Sequence, residues 1–405
     1  MTTAQLKILW HSNAPWSLAS PTGYGQQTAL FTPMLADYLS GELNISSFYG
    51  LDGAPLRWNN IPVLPGMPSE FGNMSLVPHA RELWGEARGG MVVTLMDVWV
   101  LQSEVIRQLN TACWVPVDHE PVPPAVRDFF RSSDAVPIAM SRFGQEQLAE
   151  FNPLYVPHGV DTKVYSPKDR EQVRERYGFK PDDFLVGIVA ANKGRPSRKS
   201  FSESLQALGP FMQEHENVHL YLHTALDPSF SSGENLPVLM DELRIPSERV
   251  RIVDQYRNAF NPFPADAMAM IYSAMDVLLN PSWGEGFGIT PLEAQACGVP
   301  AIVADNTAQR EVVGAGWHVR NRPVWTAQNS WQGAPDVADI REALEECYSM
   351  ADAQRASLKA AARQHALGYD AERVFERFMI PALEAAWSRI EARRPLTIVP
   401  RAVAA

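Results

Sequence analysis

The sequence predicts an α/β fold of two doubly wound domains, and three observations predict it. Short apolar, β-branched runs alternate with longer helical patterns almost throughout. Those runs lack polar alternation, as strands buried on both faces of a parallel sheet do. They also fall into two sets, parted by a stretch rich in proline and charge.

The first set is LKILW, MVVTL, CWVPV and AVPIA, all within the first 140 residues. After LKILW, the stretch HSNAPWSLASPTGYGQQTALF reads as a long loop, then a helix opened by Gly23 and Gly25. Leu30, Phe31, Met34, Leu35 and Tyr38 give that helix an apolar face, while Pro33 argues against its continuity. Its GYG does not complete G-x-G-x-x-G, because Thr28 holds the last position.

The segment VPHGVDTKVYSPKDREQVRERYGFKPDD has no apolar core of its own and reads as a connection. It suggests a first domain over 1–165, a linker over 166–182 and a second domain over 183–370. The second set of strands is LVGIVAA, VHLYL, RVRIV, DVLLN and PAIVA. A last helical pattern, AERVFERFMIPALEAAWSRIEARR, is expected within 371–395 and could cross back to the first domain. A mobile tail is expected over 396–405.

Composition narrows the function. With 405 residues, 46 % apolar and 20 % charged, the chain has the balance of a soluble globular protein. Its net charge of −11 disfavours broad contact with nucleic acid or anionic membrane. Cys113, Cys297 and Cys347 are far apart and odd in number, which fits neither a disulfide framework nor a metal site. A reduced, cytoplasmic setting is the simplest expectation. No signal-peptide pattern opens the sequence, and no apolar run reaches the roughly 18 residues of a membrane span.

The chemistry concentrates in WGEGFGITPLEAQACGVPAI, from Trp283 to Ile302. DVLLN reads as a strand and PSWGEGFG as the loop beyond its C-terminal end, where open α/β sheets bind ligands. Thr290 suits an N-cap, Pro291 the first helical position and Gly298 the exit, giving a helix of about two turns. The positive end of that helix would attract phosphate. Gly286 and Gly288 would let a ligand approach the backbone. Glu293 completes a capping box with Thr290, which is a structural alternative to a ligand role. Glu285, in a glycine turn, has no structural task beyond that of a solvated acid. Carboxylates accept hydrogen bonds from hydroxyls, so phosphate plus sugar would use both features.

NPSWGEGFGITPLEAQACGVPAIVADNTAQREVVG resembles the signature of retaining glycosyltransferases of family 4, with their E-x7-E motif. The resemblance implies the GT-B fold, two Rossmann-like domains with a cleft between them. It implies that Glu285 lies beside the donor sugar and that Glu293 binds the ribose. It further implies backbone N–H groups from Phe287, Gly288 and Ile289 toward sugar and phosphates.

Lys199-Ser-Phe-Ser-Glu-Ser-Leu-Gln-Ala lines up with the family's lysine-led helix start. Arg198 and Lys199 are therefore the candidate diphosphate partners, with Lys193 and Arg195 as alternatives for the arginine. CWVPVDHEPVPP resembles the place of the family's histidine near the donor sugar, filled by His119 or, one residue earlier, Asp118. Gly25 is the candidate for a glycine loop near the phosphates. Ser141, Gly159, Val160 and Asp161 match the passage into the linker in structural roles, with no catalysis assigned to His158. His11, Asp97 and His223 lie near strand ends as weaker candidates, and Asp254 and Gln255 as possible base contacts.

The resemblance implies sugar transfer with retention from a nucleotide-diphosphate sugar, UDP- or GDP-linked, to an unidentified acceptor. In the family's picture the acceptor attacks from the leaving-group face. No Asp-x-Asp motif is evident, so no metal or other cofactor is expected. Three other readings compete: a transferase acting on nucleic-acid bases, a noncatalytic nucleotide-sugar binding subunit, and a dinucleotide-dependent oxidoreductase. Net charge counts against the first and the missing fingerprint against the last. The oligomeric state is not legible.

Overall fold

The computed structural model describes residues 6–15, 22–40, 42–49, 51, 53–66, 70–226, 232–260 and 263–393. The tail expected over 396–405 lies outside them.

The first sheet takes eight strands: β1 (Ile8–Asn13), β2 (Leu43–Tyr49), β3 (Leu56–Trp58), β4 (Ile61–Leu64), β5 (Met91–Leu95), β6 (Thr111–Val115), β7 (Val136–Ala139) and β8 (Leu154–Tyr155). Their spatial order is β3-β4-β2-β1-β5-β6-β7-β8. Only β3 runs antiparallel to its neighbour among these pairs.

The second sheet is wholly parallel, with β9 (Phe184–Val189), β10 (Val218–His223), β11 (Val250–Ile252), β12 (Val277–Leu279), β13 (Ala301–Ala304) and β14 (Gly316–Val319). Its order, β11-β10-β9-β12-β13-β14, reverses direction between β9 and β12. That reversal is the switch point at which doubly wound sheets bind ligands. A separate hairpin follows, β15 (Asn321–Trp325) with β16 (Trp331–Pro335). The architecture is GT-B: two such sheets, helix-covered, facing one another.

The predicted strands form because their apolar runs can be buried on both faces. Met91–Leu95 and Phe184–Val189 are buried along their whole length. The helix Gly23–Tyr38 runs straight through Pro33, with Thr22 accepting from Gly25 N as its N-cap. Phe31 and Leu35 on its inner face are fully buried.

The stretch between the domains has more structure than its composition predicts. It contains the helix Arg170–Tyr177, whose Val173 and Arg174 are buried. The Arg174 guanidinium donates to Ala274 O at 3.0 Å, Asp183 O at 2.7 Å and Asp276 Oδ2 at 2.7 Å. A buried arginine so fully partnered holds the connection to the second domain, and hydropathy cannot register it.

After the second domain, the helical segment Ala371–Ala392 packs on the first sheet. Phe378 meets Tyr155 edge-on, and Arg389 Nη1 donates to Asn152 O at 2.6 Å. One apolar core joins Trp10, Phe31 and Trp114 of the first domain to Phe287 and Leu292 of the second, with Trp387 from this segment. No helix among the described residues is long and apolar enough to cross a membrane.

Candidate functional site

The glycine loop follows β12 and packs directly against the first domain. A side chain at Gly284 would meet Asp118 O at 2.2 Å, and one at Gly286 would meet Pro116 Cβ at 2.4 Å. Close packing against Pro116 therefore requires glycine at 286. Gly288 has φ 111°, a left-handed backbone that glycine tolerates, and it starts the next helix.

That helix runs Ile289–Ala296, beginning earlier than the sequence predicts. Gly288 holds the N-cap position, with no side-chain cap, so Thr290 is not the N-cap. Pro291 falls at the third helical position, still in the first turn where its missing N–H costs no hydrogen bond. Thr290 Oγ1 instead accepts from Asn280 Nδ2 at 2.7 Å. No capping box forms; Glu293 meets Gln26 and Tyr272 instead. The predicted exit is present, with Gly298 at φ 77°.

Both glutamates are buried, at 8 % and 4 % exposure for Glu285 and Glu293. Glu285 lies in ion-pair contact with Lys199 Nζ, and Arg198 Nη1 is 3.4 Å away. Arg198 also donates to Gly284 O at 2.7 Å, and its own carbonyl accepts from Trp283 N at 2.8 Å. The basic loop after β9 is thus stitched to the glycine loop after β12. Burial pushes the Glu285 carboxyl up, but Lys199 and Arg198 outweigh it and hold the group below the usual range. Burial pulls the Lys199 ammonium down, and Glu285 only partly restores it.

Glu293 has neutral partners. Gln26 Nε2 of the first domain donates to Oε1, and Tyr272 OH donates to Oε2 at 2.8 Å. Burial raises its carboxyl, and the hydrogen bonds from Gln26, Tyr272 and Tyr165 do not reverse that.

Two cavities lie nearby: Glu293 lines one and Arg198 the other, while Glu285 and Lys199 line neither. The larger, about 410 Å³, opens over the switch point of the second sheet. Residues 189–193 after β9, 223–225 after β10 and Gln255 line one side; Thr22, Gly23 and Gln26 of the first domain line another. Ile289, Thr290 and Glu293 present the helix start to it. The smaller, about 340 Å³, lies at the ends of β5 and β6, where Asp97, Asp118 and His119 meet Arg198. The β15–β16 hairpin supplies its outer wall through Thr326, Gln328 and Gln332.

The candidates read from sequence separate accordingly. Lys193 lines the larger cavity, whereas Arg195 donates to Gly233 O at 2.6 Å. His119 and Asp118 both line the smaller one and bond each other, Nδ1 to Oδ1, at 2.6 Å. His119 Nε2 is 2.8 Å from Thr326 Oγ1. Asp97 is pushed up to about 6 by burial and the Asp118 charge. Gly25 is not among the lining residues; a side chain there would strike Ala14 O at 2.7 Å.

Phe287 packs against His158 and Tyr369. His158 is buried beside Trp114 and held near 3 by that burial, as a packed core ring would be. His11 is fully buried and bonded to Phe71 O and Ser46, away from both cavities. His223 and Gln255 line the larger cavity; Asp254 does not, and caps Arg257 N at 2.8 Å.

Passage-region residues have structural partners. Ser141 accepts from Gly144 N, Gly159 pairs through both backbone groups with Gln27, Val160 bridges Asp370, and Asp161 accepts from Lys163 N.

Sequence reasoning missed Gln26, Tyr165 and Tyr272 around Glu293, and the hairpin. Gln26 comes from 267 positions away and carries no local signal. The hairpin had one: VWTAQNSW sets aromatics on either side of turn-forming residues.

Residues 188–349 match the family model described as Glycosyl transferases group 1. A D-inositol 3-phosphate glycosyltransferase from Geodermatophilus obscurus is 30 % identical over 230 residues, which is 55 % of this chain and 45 % of that protein. The chain therefore spans under half the length of that curated relative. Among solved structures, a sucrose-phosphate synthase from Thermosynechococcus elongatus is similar with a TM-score of 0.69 and 16 % identity, over 94 % of this chain and 99 % of that one. Alr3699/HepE from Anabaena, in complex with UDP and glucose, is similar with a TM-score of 0.66 and 17 % identity, over 94 % and 100 %.

Proposed function

We propose that this chain, whose residues 188–349 match the family model of group 1 glycosyltransferases, is a retaining enzyme of family 4. It would move a sugar from a nucleotide-diphosphate donor to an acceptor hydroxyl without a metal. The carrying observation is the convergence of Lys199 and Arg198 on buried Glu285, with Arg198 lining the smaller cavity and Glu293 the larger. The larger cavity would hold the nucleoside, with Glu293 taking the ribose hydroxyls. The diphosphate would sit between the helix start at Gly288 and the two basic side chains.

As the bond from the anomeric carbon to the diphosphate oxygen breaks, negative charge develops on the leaving group. Arg198, Lys199 and the positive end of the helix would stabilise it. The acceptor oxygen bonds to the anomeric carbon from the same face, and its proton passes to the leaving phosphate oxygen. Glu285 orients the sugar and keeps the cations paired between turnovers. A complex of the Anabaena protein with UDP-glucose makes that the first donor to test.

A thermal-shift panel tests the reading: UDP, GDP, ADP, their sugar conjugates and NAD, with chelator present. One nucleoside diphosphate should stabilise the protein, and the shift should vanish in Lys199→Ala and Glu293→Ala. Stabilisation by NAD alone, or shifts indifferent to both substitutions, would overturn it.

A further inference from the structure

The smaller cavity shares Arg198 with the proposed donor site, and the rest of its lining is specific about charge. At about 340 Å³ it lies at the small end of ligand pockets, suited to one ring and not to a chain. Two carboxylates, Asp97 and Asp118, face it from the ends of β5 and β6. Asp97 accepts from Tyr24 OH at 3.2 Å, and Asp118 is held by His119 and by Gln332 Nε2 at 3.2 Å. Both are fixed in place and keep lone pairs for further donors.

Arg198 is the one permanent cation among the described lining residues; Gly284 O and Glu285 engage it, and in the reading above the donor diphosphate would take it before an acceptor could. An anionic ligand there would meet two carboxylates and no free positive charge, which penalises phosphate or carboxylate groups. Trp99 also lines the cavity, with 47 % of its surface exposed. A solvent-facing indole beside hydroxyl-accepting carboxylates suits a ring with an apolar face and a polar rim.

We propose that this cavity takes an uncharged polyhydroxylated acceptor, a single sugar or cyclitol ring without phosphate or carboxylate. Asp97 and Asp118 accept hydrogen bonds from its hydroxyls, and Trp99 covers its apolar face. The hairpin is a specificity element in this arrangement, since Gln332 fixes Asp118 while Thr326 and Gln328 close the outer wall. The inference rests on the donor-site reading above.

The test uses the full chain and radiolabelled UDP-glucose, GDP-mannose or the donor that thermal shift selects. Acceptors are offered in matched pairs: myo-inositol with myo-inositol 1-phosphate, and methyl mannoside with mannose 6-phosphate. The expected result is transfer to a neutral member, with kcat/KM at least tenfold above its phosphorylated counterpart. Trp99→Ala should raise the KM for that acceptor at least fivefold with a smaller change in kcat, and Trp99→Phe should restore most of it. A phosphorylated acceptor used as well as its neutral partner overturns the proposal. So does an acceptor KM unmoved by Trp99→Ala, or sugar release to water with none of the four accepted. Absence of both donor binding and sugar release strikes the donor site itself, a different failure.

Discussion

Glu285 and Glu293 stand eight residues apart in one motif, both buried, yet their surroundings are opposite. Two cations surround Glu285, so it is held ionised. Around Glu293 are an amide and tyrosine hydroxyls, and burial favours its neutral form. One sequence motif thus encodes two electrostatic tasks. Which task each residue takes is decided by partners far away in the chain.

The largest effect should follow from Glu285→Gln. The substitution leaves Lys199 buried beside a neutral amide, and breaking a buried pair from one side costs about 3–5 kcal/mol. Turnover should fall on the order of 100- to 1000-fold, the scale of losing one pre-oriented group that acts on the reacting centre. Chemical denaturation and steady-state kinetics on the same sample check both. A variant as stable as the parent would mean that Lys199 and Arg198 are not held by Glu285.

A smaller loss should follow from Gly286→Ala, which tests the backbone between the two glutamates. The added methyl would lie 2.4 Å from Pro116 Cβ in the other domain. Overpacking of this kind costs about 1–3 kcal/mol. The damage should fall on the fit between the domains, lowering kcat/KM about tenfold while the nucleotide still gives a thermal shift. Loss of nucleotide binding instead would place a ligand, not Pro116, against Gly286.

How much of this was legible follows the same division. The parallel strands could be read because their apolar runs are contiguous, and the Glu285 loop because its residues are local. β2 escaped because it carries Ser46 and Ser47 inside the sheet; Ser46 bonds the ring nitrogens of His11 and His79. The linker helix escaped because its anchor, Arg174, is a buried charge. The capping box was misread because spacing cannot reveal that Gly288 adopts a left-handed backbone and starts the helix early. The smaller cavity draws on the stretches after β5 and β6, Arg198 of the basic loop and the hairpin, so no single stretch of sequence displays it.

The smallest effect should follow at Glu293, where the same change should act with the opposite sign. A carboxyl whose folded pKa is raised binds more protons in the native than in the unfolded chain between the two pKa values. Its contribution to stability therefore falls as pH rises from about 4.5, the unfolded value, through the raised folded value, and the loss is complete above that. Glu285 behaves in reverse: its depressed pKa contributes stability above the unfolded value that is lost as pH falls through the folded one.

Glu293→Gln has no proton to lose, and its amide oxygen can still accept from Gln26 or Tyr272. At pH 7 the variant should equal or exceed the parent in stability by about 1 kcal/mol, the scale of one buried hydrogen-bonded group. That margin should shrink toward pH 4.5, while nucleoside diphosphate affinity falls about tenfold because one ribose-accepting oxygen is gone. Denaturation midpoints at several pH values measure the first effect and titration calorimetry the second. A variant destabilised at pH 7, with the deficit shrinking as the medium is acidified, would mean that Glu293 is ionised in the folded protein and that the two glutamates are alike.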